Sequence, residues 1–154
     1  MVAIDSVQPP RMPYWHVWTD EAGATHQSHC ELSAFRLESM GGKAAAQWND
    51  RLLTAASSVL FSVLPVGWVG DWHENPKPQW IVPLAGVWFV ETTDGTRVEM
   101  GPGEISFGGD QRARPDKNGC VGHRSGTVGD VPAVLMVVQL EDDRFIGARP
   151  GAFS

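Results

Sequence analysis

The chain has 154 residues, a length typical of one domain, and 42% of them are hydrophobic. Its 12 basic and 18 acidic side chains give a net charge of −6, which argues against nucleic acid or an anionic membrane as the main partner, because both select a basic surface. No apolar run reaches the about 18 residues of a membrane helix, and no secretory signal pattern opens the chain, so we expect a soluble, cytoplasmic protein. Cys30 and Cys120 form no metal or redox motif and are expected to be unpaired thiols.

The N-terminal third predicts strands and a single helix. Residues 1–13 contain three prolines and predict an irregular arm, and residues 14–19, rich in aromatic and β-branched side chains, predict a strand. Turn-forming residues 20–23 then precede a second extended run over 24–37. Residues 43–56 predict the only helix, because apolar residues four apart share one helical face. These residues are Ala44, Trp48 and Leu52.

From residue 57 onward the pattern is typical of β-structure. Apolar runs at 80–84 and 87–90 flank a glycine, and the Asp-Gly pair within 93–96 predicts a tight hairpin turn. A long loop is expected over 108–122, and the almost continuous apolar run 132–140 predicts a strand that is buried on both faces. Many short strands separated by turns indicate a sandwich or barrel.

One group of residues has a recognisable spacing. Five positions follow the pattern G-x5-H-x-N-x3-Q-x6-G, namely Gly67, His73, Asn75, Gln79 and Gly86. A Gly-Pro-Gly-Glu turn at 101–104 follows, and His123 comes after the long loop. This arrangement resembles the two signatures of the cupin family, and the stretches Asp-Trp-His at 71–73 and Gly-His at 122–123 resemble a group of small bacterial cupin-domain proteins.

The resemblance covers roughly residues 14–141 and implies a fold. The expected fold is all-β, a cupin-type jelly-roll β-barrel with a short N-terminal strand arm and one short helix. We expect residues 14–154 to form a single cupin domain. The succession of short strands and turns independently predicts the same architecture, because double-sheet jelly rolls have this pattern.

The departures from the cupin pattern concern the metal site. A metal-loaded cupin holds its ion with three histidines and a glutamate, whereas this chain keeps His73 and His123 and has Asn75 and Gln79 at the other positions. Neutral amides are poor ligands for transition metals and offset no charge. We therefore expect either no required cofactor or a weakly held Zn, Fe, Ni or Mn ion on the two histidines, with Gln79 as a possible third ligand. Asp110 is the first candidate for a missing carboxylate.

The candidate catalytic residues are His73, Gln79 and His123, and the candidate substrate-binding residues are Trp72, Trp80, Trp88, Asn75 and Asp110. Neutral histidine near pH 7 is suited to general acid–base work. Each residue also has a structural interpretation, as a hydrogen-bonded core residue or, for the tryptophans, as barrel packing. Asp71 and Glu74 flank His73, and neighbours along a strand face the opposite side of the sheet.

Three functions remain open. The first is an enzyme that carries out acid–base chemistry on a small organic substrate, such as isomerisation, cyclisation, dehydration or elimination. The second is a module that binds a small ligand without catalysis, and the third is a structural barrel. A metal-dependent oxygenase fits less well, because the signature lacks the carboxylate of a two-histidine-one-carboxylate site.

A homodimer is expected as well, because several strands are apolar on both faces. The adjacent apolar pairs are Trp80 with Ile81, Trp88 with Phe89, and Val137 with Val138.

Overall fold

The computed structural model of the chain describes residues 8–154. This part is almost entirely β-structure, and its only helical element is one 3-10 turn at Asp143–Phe145. The strands are β1 (Met12–Thr19), β2 (Thr25–Leu32), β3 (Arg36–Ser39), β4 (Ala46–Asn49), β5 (Ser57–Leu64), β6 (Gln79–Ala85), β7 (Val87–Thr92), β8 (Arg97–Met100), β9 (Ser106–Gly109), β10 (His123–Val128) and β11 (Ala133–Leu140). None of the described helical segments is long and apolar enough to cross a membrane.

Two sheets face each other to form a jelly-roll barrel. The larger sheet has six strands in the order β2-β1-β9-β6-β11-β5, and the smaller has the order β10-β7-β8. An irregular segment, residues 68–73, runs antiparallel to β10 through isolated bridges at Val69–Gly126 and His73–His123. The strand order confirms the all-β barrel expected from the sequence.

The space between the sheets is filled by apolar side chains. In the larger sheet, β1, β6 and β11 direct alternate residues inward, because successive side chains of a strand point to opposite faces. The smaller sheet closes the core with β7 and β8. The buried members of this cluster are Val17, Ile81, Trp88, Val90, Met100, Ala133, Leu135 and Val137.

A second apolar cluster lies on the outer face of the larger sheet. Here the chain after β11 folds back over the sheet, and Phe153 packs its ring against Tyr14, Trp80 and Phe107, with centroid separations of 4.6–6.1 Å. His16 fixes this C-terminal segment by donating from Nε2 to the carbonyl of Ala148 at 2.7 Å. The six-stranded sheet is therefore covered on both faces over part of its surface.

Replacing Phe153 with alanine is expected to destabilise the protein by about 3 kcal/mol, because large-to-small changes at packed aromatic positions lose burial and leave a cavity. Phe153 is only 9% exposed. Urea unfolding of Phe153→Ala and of the control Val131→Ala, a residue that is 52% exposed, measures the difference. Equal free energies of unfolding in the two variants would show that the C-terminal segment does not stabilise the sheet.

The expected helix over residues 43–56 is wrong. Residues 46–49 instead form β4, which pairs with β3 so that Trp48 lies opposite Leu37, and the turn between them uses Gly41 and Gly42 at positive φ. A helix of three or four turns is marginal without packing, and here cross-strand contacts such as the bond from Asn49 Nδ2 to the Glu38 carbonyl stabilise the hairpin.

Two boundaries also differ from the sequence prediction. β1 begins at Met12, before the predicted end of the N-terminal arm, and residues 1–7 of that arm lie outside the described residues. The extended run over 24–37 is two strands, because the chain turns away after Leu32 and begins β3 at Arg36.

The apolar pairs used to predict a dimer are covered within the chain itself. Trp80 and Val138 belong to the outer cluster under the C-terminal segment, and Phe89 packs against Gly126 beneath the guanidinium of Arg97. Their burial therefore needs no second subunit, so these pairs do not support a dimer, and the dimer itself stays a prediction.

Candidate functional site

Two histidines meet at one end of the barrel. His73 and His123 lie directly opposite each other in an antiparallel bridge and exchange both backbone hydrogen bonds, each 2.9 Å long. Residues that pair in this way have side chains on the same face of the sheet, and the two imidazole centroids are 4.8 Å apart. His73 is exposed, whereas His123 is 5% exposed and lies behind it.

Asp110 orients the inner histidine. Asp110 follows β9 directly, is fully buried, and places Oδ2 2.7 Å from Nδ1 of His123. A carboxylate only accepts hydrogen bonds, so Nδ1 of His123 carries a proton, and in the neutral ring Nε2 is the nitrogen with the lone pair. The arrangement is a buried Asp–His pair with a basic nitrogen directed away from the carboxylate.

A chain of amide side chains supports the carboxylate. Gln139 of β11 donates to Oε1 of Gln79 at 3.0 Å, Gln79 donates to Oδ1 of Asn75 at 2.7 Å, and Asn75 donates from both its backbone N and Nδ2 to Oδ1 of Asp110. Each donor points toward the carboxylate, so the amide dipoles along the chain all favour its negative charge. We call this series of hydrogen-bonded side chains, Gln139–Gln79–Asn75–Asp110, the amide relay.

Hydrogen bonds determine the charge state of Asp110. Burial alone would raise the pKa of this carboxyl group, but the hydrogen bond and the charge of His123, together with the bonds from Asn75, lower the pKa of Asp110 below its ordinary value. Asp110 is therefore a carboxylate at neutral pH, as its role of accepting from Nδ1 requires.

Glycines permit the close approach of the loops that carry these side chains. Gly122 precedes His123 at φ 71°, and a Cβ there would collide with the backbone of His73. Gly108 in β9 leaves the space that the side-chain amide of Asn75 occupies. Both positions need glycine, because a side chain at either would force His73 or Asn75 out of place.

The ring of His73 and the neighbouring Glu74 side chain also form hydrogen bonds within the chain. The ring of His73 donates from Nδ1 to the carbonyl of Asp71 at 2.8 Å, which leaves Nε2 as its basic nitrogen. Glu74, the neighbour on the other side, accepts from the backbone N of Ala113 and so supports the loop before Cys120. Neither flanking carboxylate bonds to an imidazole, which agrees with the expected alternation along the strand.

The donor set does not fit the metal centre of a complete cupin signature. Both oxygens of Asp110 are engaged by Asn75 and His123, and Oε1 of Gln79 accepts from Gln139. Within residues 8–154 no three His, Cys, Asp or Glu side chains are grouped so that they could hold an ion. Asp110, the first candidate for the missing ligand, is hydrogen-bonded to His123 and Asn75.

The three candidate tryptophans occupy three different environments. Trp88 is 3% exposed in the barrel core, and its Nε1 has no hydrogen-bond partner among the described residues. Trp72 is half-buried, and its ring centroid lies 5.6 Å from the guanidinium carbon of Arg124. Trp80 lies on the outer face of the sheet, opposite to Gln79, where it packs in the second apolar cluster; its role in substrate binding stays a prediction.

Trp80 instead lines a cavity outside the barrel. This cavity has a volume of about 350 Å³ and lies between the end of β2, the chain after β4 and the C-terminal segment. Its apolar walls include Leu32, Leu52 and Phe153, and Asp50 and Arg51 lie among its polar lining residues. The volume is at the lower end of the range for small-molecule sites.

Sequence reasoning missed Gln139 and Gln111. Gln139 is the only polar residue within the apolar stretch 133–140, and a lone amide in a buried strand is a signal that a polar partner faces it. Gln111 donates to the carbonyls of Asn75 and Gly108 and accepts from Gly147, so it links the C-terminal segment to the amide relay. No spacing in the sequence indicates that link.

Comparisons with known proteins give structural similarity only. Neither a scan of protein-family models nor a search of curated proteins finds a match. Among solved structures, the chain is similar to protein NMB1881 from Neisseria meningitidis, with 16% identity, a TM-score of 0.37, and coverage of 59% of this chain and 89% of that one. It is also similar to a protein described as ethanolamine utilization protein Q from Salmonella typhimurium, with 14% identity, a TM-score of 0.40, and coverage of 85% and 97%. The barrel architecture follows from the strand order of the two sheets.

Proposed function

We propose that the chain is a small-molecule-binding protein of the cupin type that performs acid–base chemistry with His123 as the general base and His73 as the second proton-transfer group. The observation that carries the proposal is the 2.7 Å contact between Asp110 Oδ2 and His123 Nδ1 in a buried setting. A carboxylate in this position fixes the imidazole tautomer and stabilises the imidazolium that forms when Nε2 takes a proton.

The amide relay gives this pair a fixed orientation. A base works only if its nitrogen is held within hydrogen-bond reach of the proton it removes, and side chains that are locked by hydrogen bonds supply that precision. The exposed ring of His73 beside the buried ring of His123 offers a route by which a proton reaches solvent. Reactions that need one proton removed and another returned, such as isomerisation, dehydration or elimination, use two such groups.

We infer that this chemistry needs no tightly held metal. Imidazole and carboxylate donors suit a transition metal, but here the carboxylate and the amide oxygens already accept hydrogen bonds from protein groups. His73 and His123 alone would hold a divalent ion weakly.

A proton-abstraction assay tests the proposal without knowledge of the natural substrate. The probe is 5-nitrobenzisoxazole, in which a base removes the ring C–H proton as the N–O bond breaks to give a coloured phenolate. We expect turnover above the buffer rate, a loss of about 10²–10⁴-fold in His123→Ala, and no loss after treatment with a chelator. The exposed His29→Ala serves as the matched control.

Two results would contradict the proposal. Equal turnover by the wild-type protein and His123→Ala would remove His123 as the base. One tightly held ion per chain in elemental analysis, with turnover abolished by chelation, would mean that a metal carries the reaction.

A second candidate function is ligand binding without catalysis. The observation that favours it is the cavity of about 350 Å³ beside Trp80 and Phe153, which is separate from the histidines. Small aromatic ligands fit such walls, since they stack on Trp and Phe rings. Binding that is lost in Trp80→Ala but kept in His123→Ala would favour this function.

A further inference from the structure

β5 is an unprotected edge of the six-stranded sheet. It pairs with β11 on one side only, over all eight of its residues and without a bulge, and no other described strand pairs with it. Natural edge strands are usually short, bulged, or protected by charges or proline. Residues 52–70 contain no charged side chain, and the first proline lies just beyond the strand at position 65.

The outer face of this edge is apolar and exposed. Val59, Phe61 and Val63 are 56%, 67% and 63% exposed. They continue the outer face of β11, because Phe61 pairs with Met136 and Val63 pairs with Val134. Monomeric proteins rarely expose contiguous apolar patches of this kind, and such patches mark interaction sites.

The sequence of β5 is self-complementary about Phe61. Its exposed face reads Val59-x-Phe61-x-Val63, which is the same in both directions. In an antiparallel pair of two such strands centred on Phe61, Phe61 faces its own copy and each Val59 faces the other copy's Val63. In a pair of copies related by a twofold axis, every contact occurs twice. A strand whose apolar face is the same in both directions therefore matches a second copy of itself, whereas an unrelated peptide lacks this match.

Charge also favours a second copy of this chain. Each copy carries a net charge of −6, so contact between copies is least costly where no charged side chains face one another. The uncharged stretch 52–70 includes the whole of this edge.

We propose that β5 is a homodimer interface, in which two copies pair β5 to β5 in antiparallel orientation about Phe61 and join their six-stranded sheets into one. The edge hydrogen bonds of β5 are then satisfied, and the exposed valines and phenylalanine form cross-strand apolar pairs. This interface does not involve His73 or His123, so a test of the dimer is independent of any test of the acid–base function.

Cross-linking tests the register directly. Antiparallel partners have Cα atoms about 4.5–5.5 Å apart, within the range that a disulfide spans. In a Cys30→Ser, Cys120→Ser background, Phe61→Cys should form a disulfide-linked dimer under mild oxidation. The matched control Val59→Cys should not, because four residues of offset place its two copies about 14 Å apart along the strands. Mixing Val59→Cys with Val63→Cys should restore the cross-link.

Molar mass in solution gives an independent result. Light scattering at micromolar concentration should give the dimer mass for the wild-type protein and for Met40→Lys, a control with an exposed residue in the β3–β4 turn, and the monomer mass for Phe61→Lys. The cross-linking result does not depend on the folding of Phe61→Lys. A monomeric wild-type protein, a dimer that persists in folded Phe61→Lys, or equal cross-linking at positions 59 and 61 would each overturn the proposal.

Discussion

Replacing Asp110 with asparagine is expected to move the ring proton of His123 from Nδ1 to Nε2 and to lower turnover of the benzisoxazole probe by about 10²–10⁴-fold. The amide oxygen can still accept from Asn75, but the amide NH₂ then faces Nδ1 of His123, where the carboxylate oxygen now lies at 2.7 Å. Two donors cannot bond to each other, so the ring must present the Nδ1 lone pair. The basic nitrogen that would take a substrate proton is lost.

Nitrogen-15 NMR of the imidazole ring measures this change separately from activity. The wild-type spectrum should show a protonated Nδ1 at His123, and the Asp110→Asn spectrum should show a protonated Nε2. Glu74→Gln is the matched control, because Glu74 is an exposed carboxylate that contacts the backbone of Ala113 and neither imidazole. An unchanged tautomer in Asp110→Asn would mean that Asp110 does not orient His123.

The free energy of unfolding should fall by roughly 3 kcal/mol as the pH falls from 6.5 to about 4, through the titration of His16. Burial lowers the pKa of His16 from 6.5 to about 4, and the hydrogen bond to the Ala148 carbonyl offsets only part of that shift. The folded state therefore keeps His16 neutral over this range, while the unfolded chain gains a proton. The contribution of His16 to the free energy of unfolding is fully present above pH 6.5. It is lost progressively below that pH, until His16 also takes up a proton in the folded state near pH 4.

His16→Gln should remove this dependence, because glutamine is a neutral donor that does not titrate. Urea unfolding at a series of pH values should give a curve that is flatter for His16→Gln than for the wild-type protein between pH 6.5 and 4. His29→Gln, at an exposed position of β2, should retain the wild-type slope. Identical slopes for the wild-type protein and His16→Gln would show that His16 does not link pH to stability.

Apolar runs and turn-forming residues predicted the barrel well, because they indicate which residues are buried and where the chain turns. The apolar run ending in Leu140 became β11, which lies between β5 and β6 as its burial requires, and the Asp-Gly turn joins β7 to β8. The predicted helix failed because the four-residue spacing of Ala44, Trp48 and Leu52 also occurs by chance in a short hairpin. Cross-strand partners, which lie elsewhere in the sequence, decided that segment.

The sequence predicted that His73, Gln79 and His123 lie near one another, but it indicated neither Gln139 nor the hydrogen bonds that connect the site. The spacing around His73 and Gln79 indicated that these residues and His123 lie near one another, and the structure brings them to one end of the barrel. The spacing could not show that Asp110 contacts His123, because that contact joins the two ends of a long loop. It also could not place Trp80 on the outer face, since an alternating strand with apolar residues on both sides gives no indication of which side the C-terminal segment covers.

The position of β11 within the large sheet has a consequence for how the chain folds. The strand that separates β5 from β6 is the last strand in sequence, and the first strand pairs in parallel with β9, far along the chain. During synthesis β5 and β6 emerge long before the strand that bridges them, so the sheet cannot close until residue 140 has left the ribosome. Such non-local pairing slows folding to roughly milliseconds to seconds, and in that interval the uncharged edge of β5 is open to mispairing with another nascent chain.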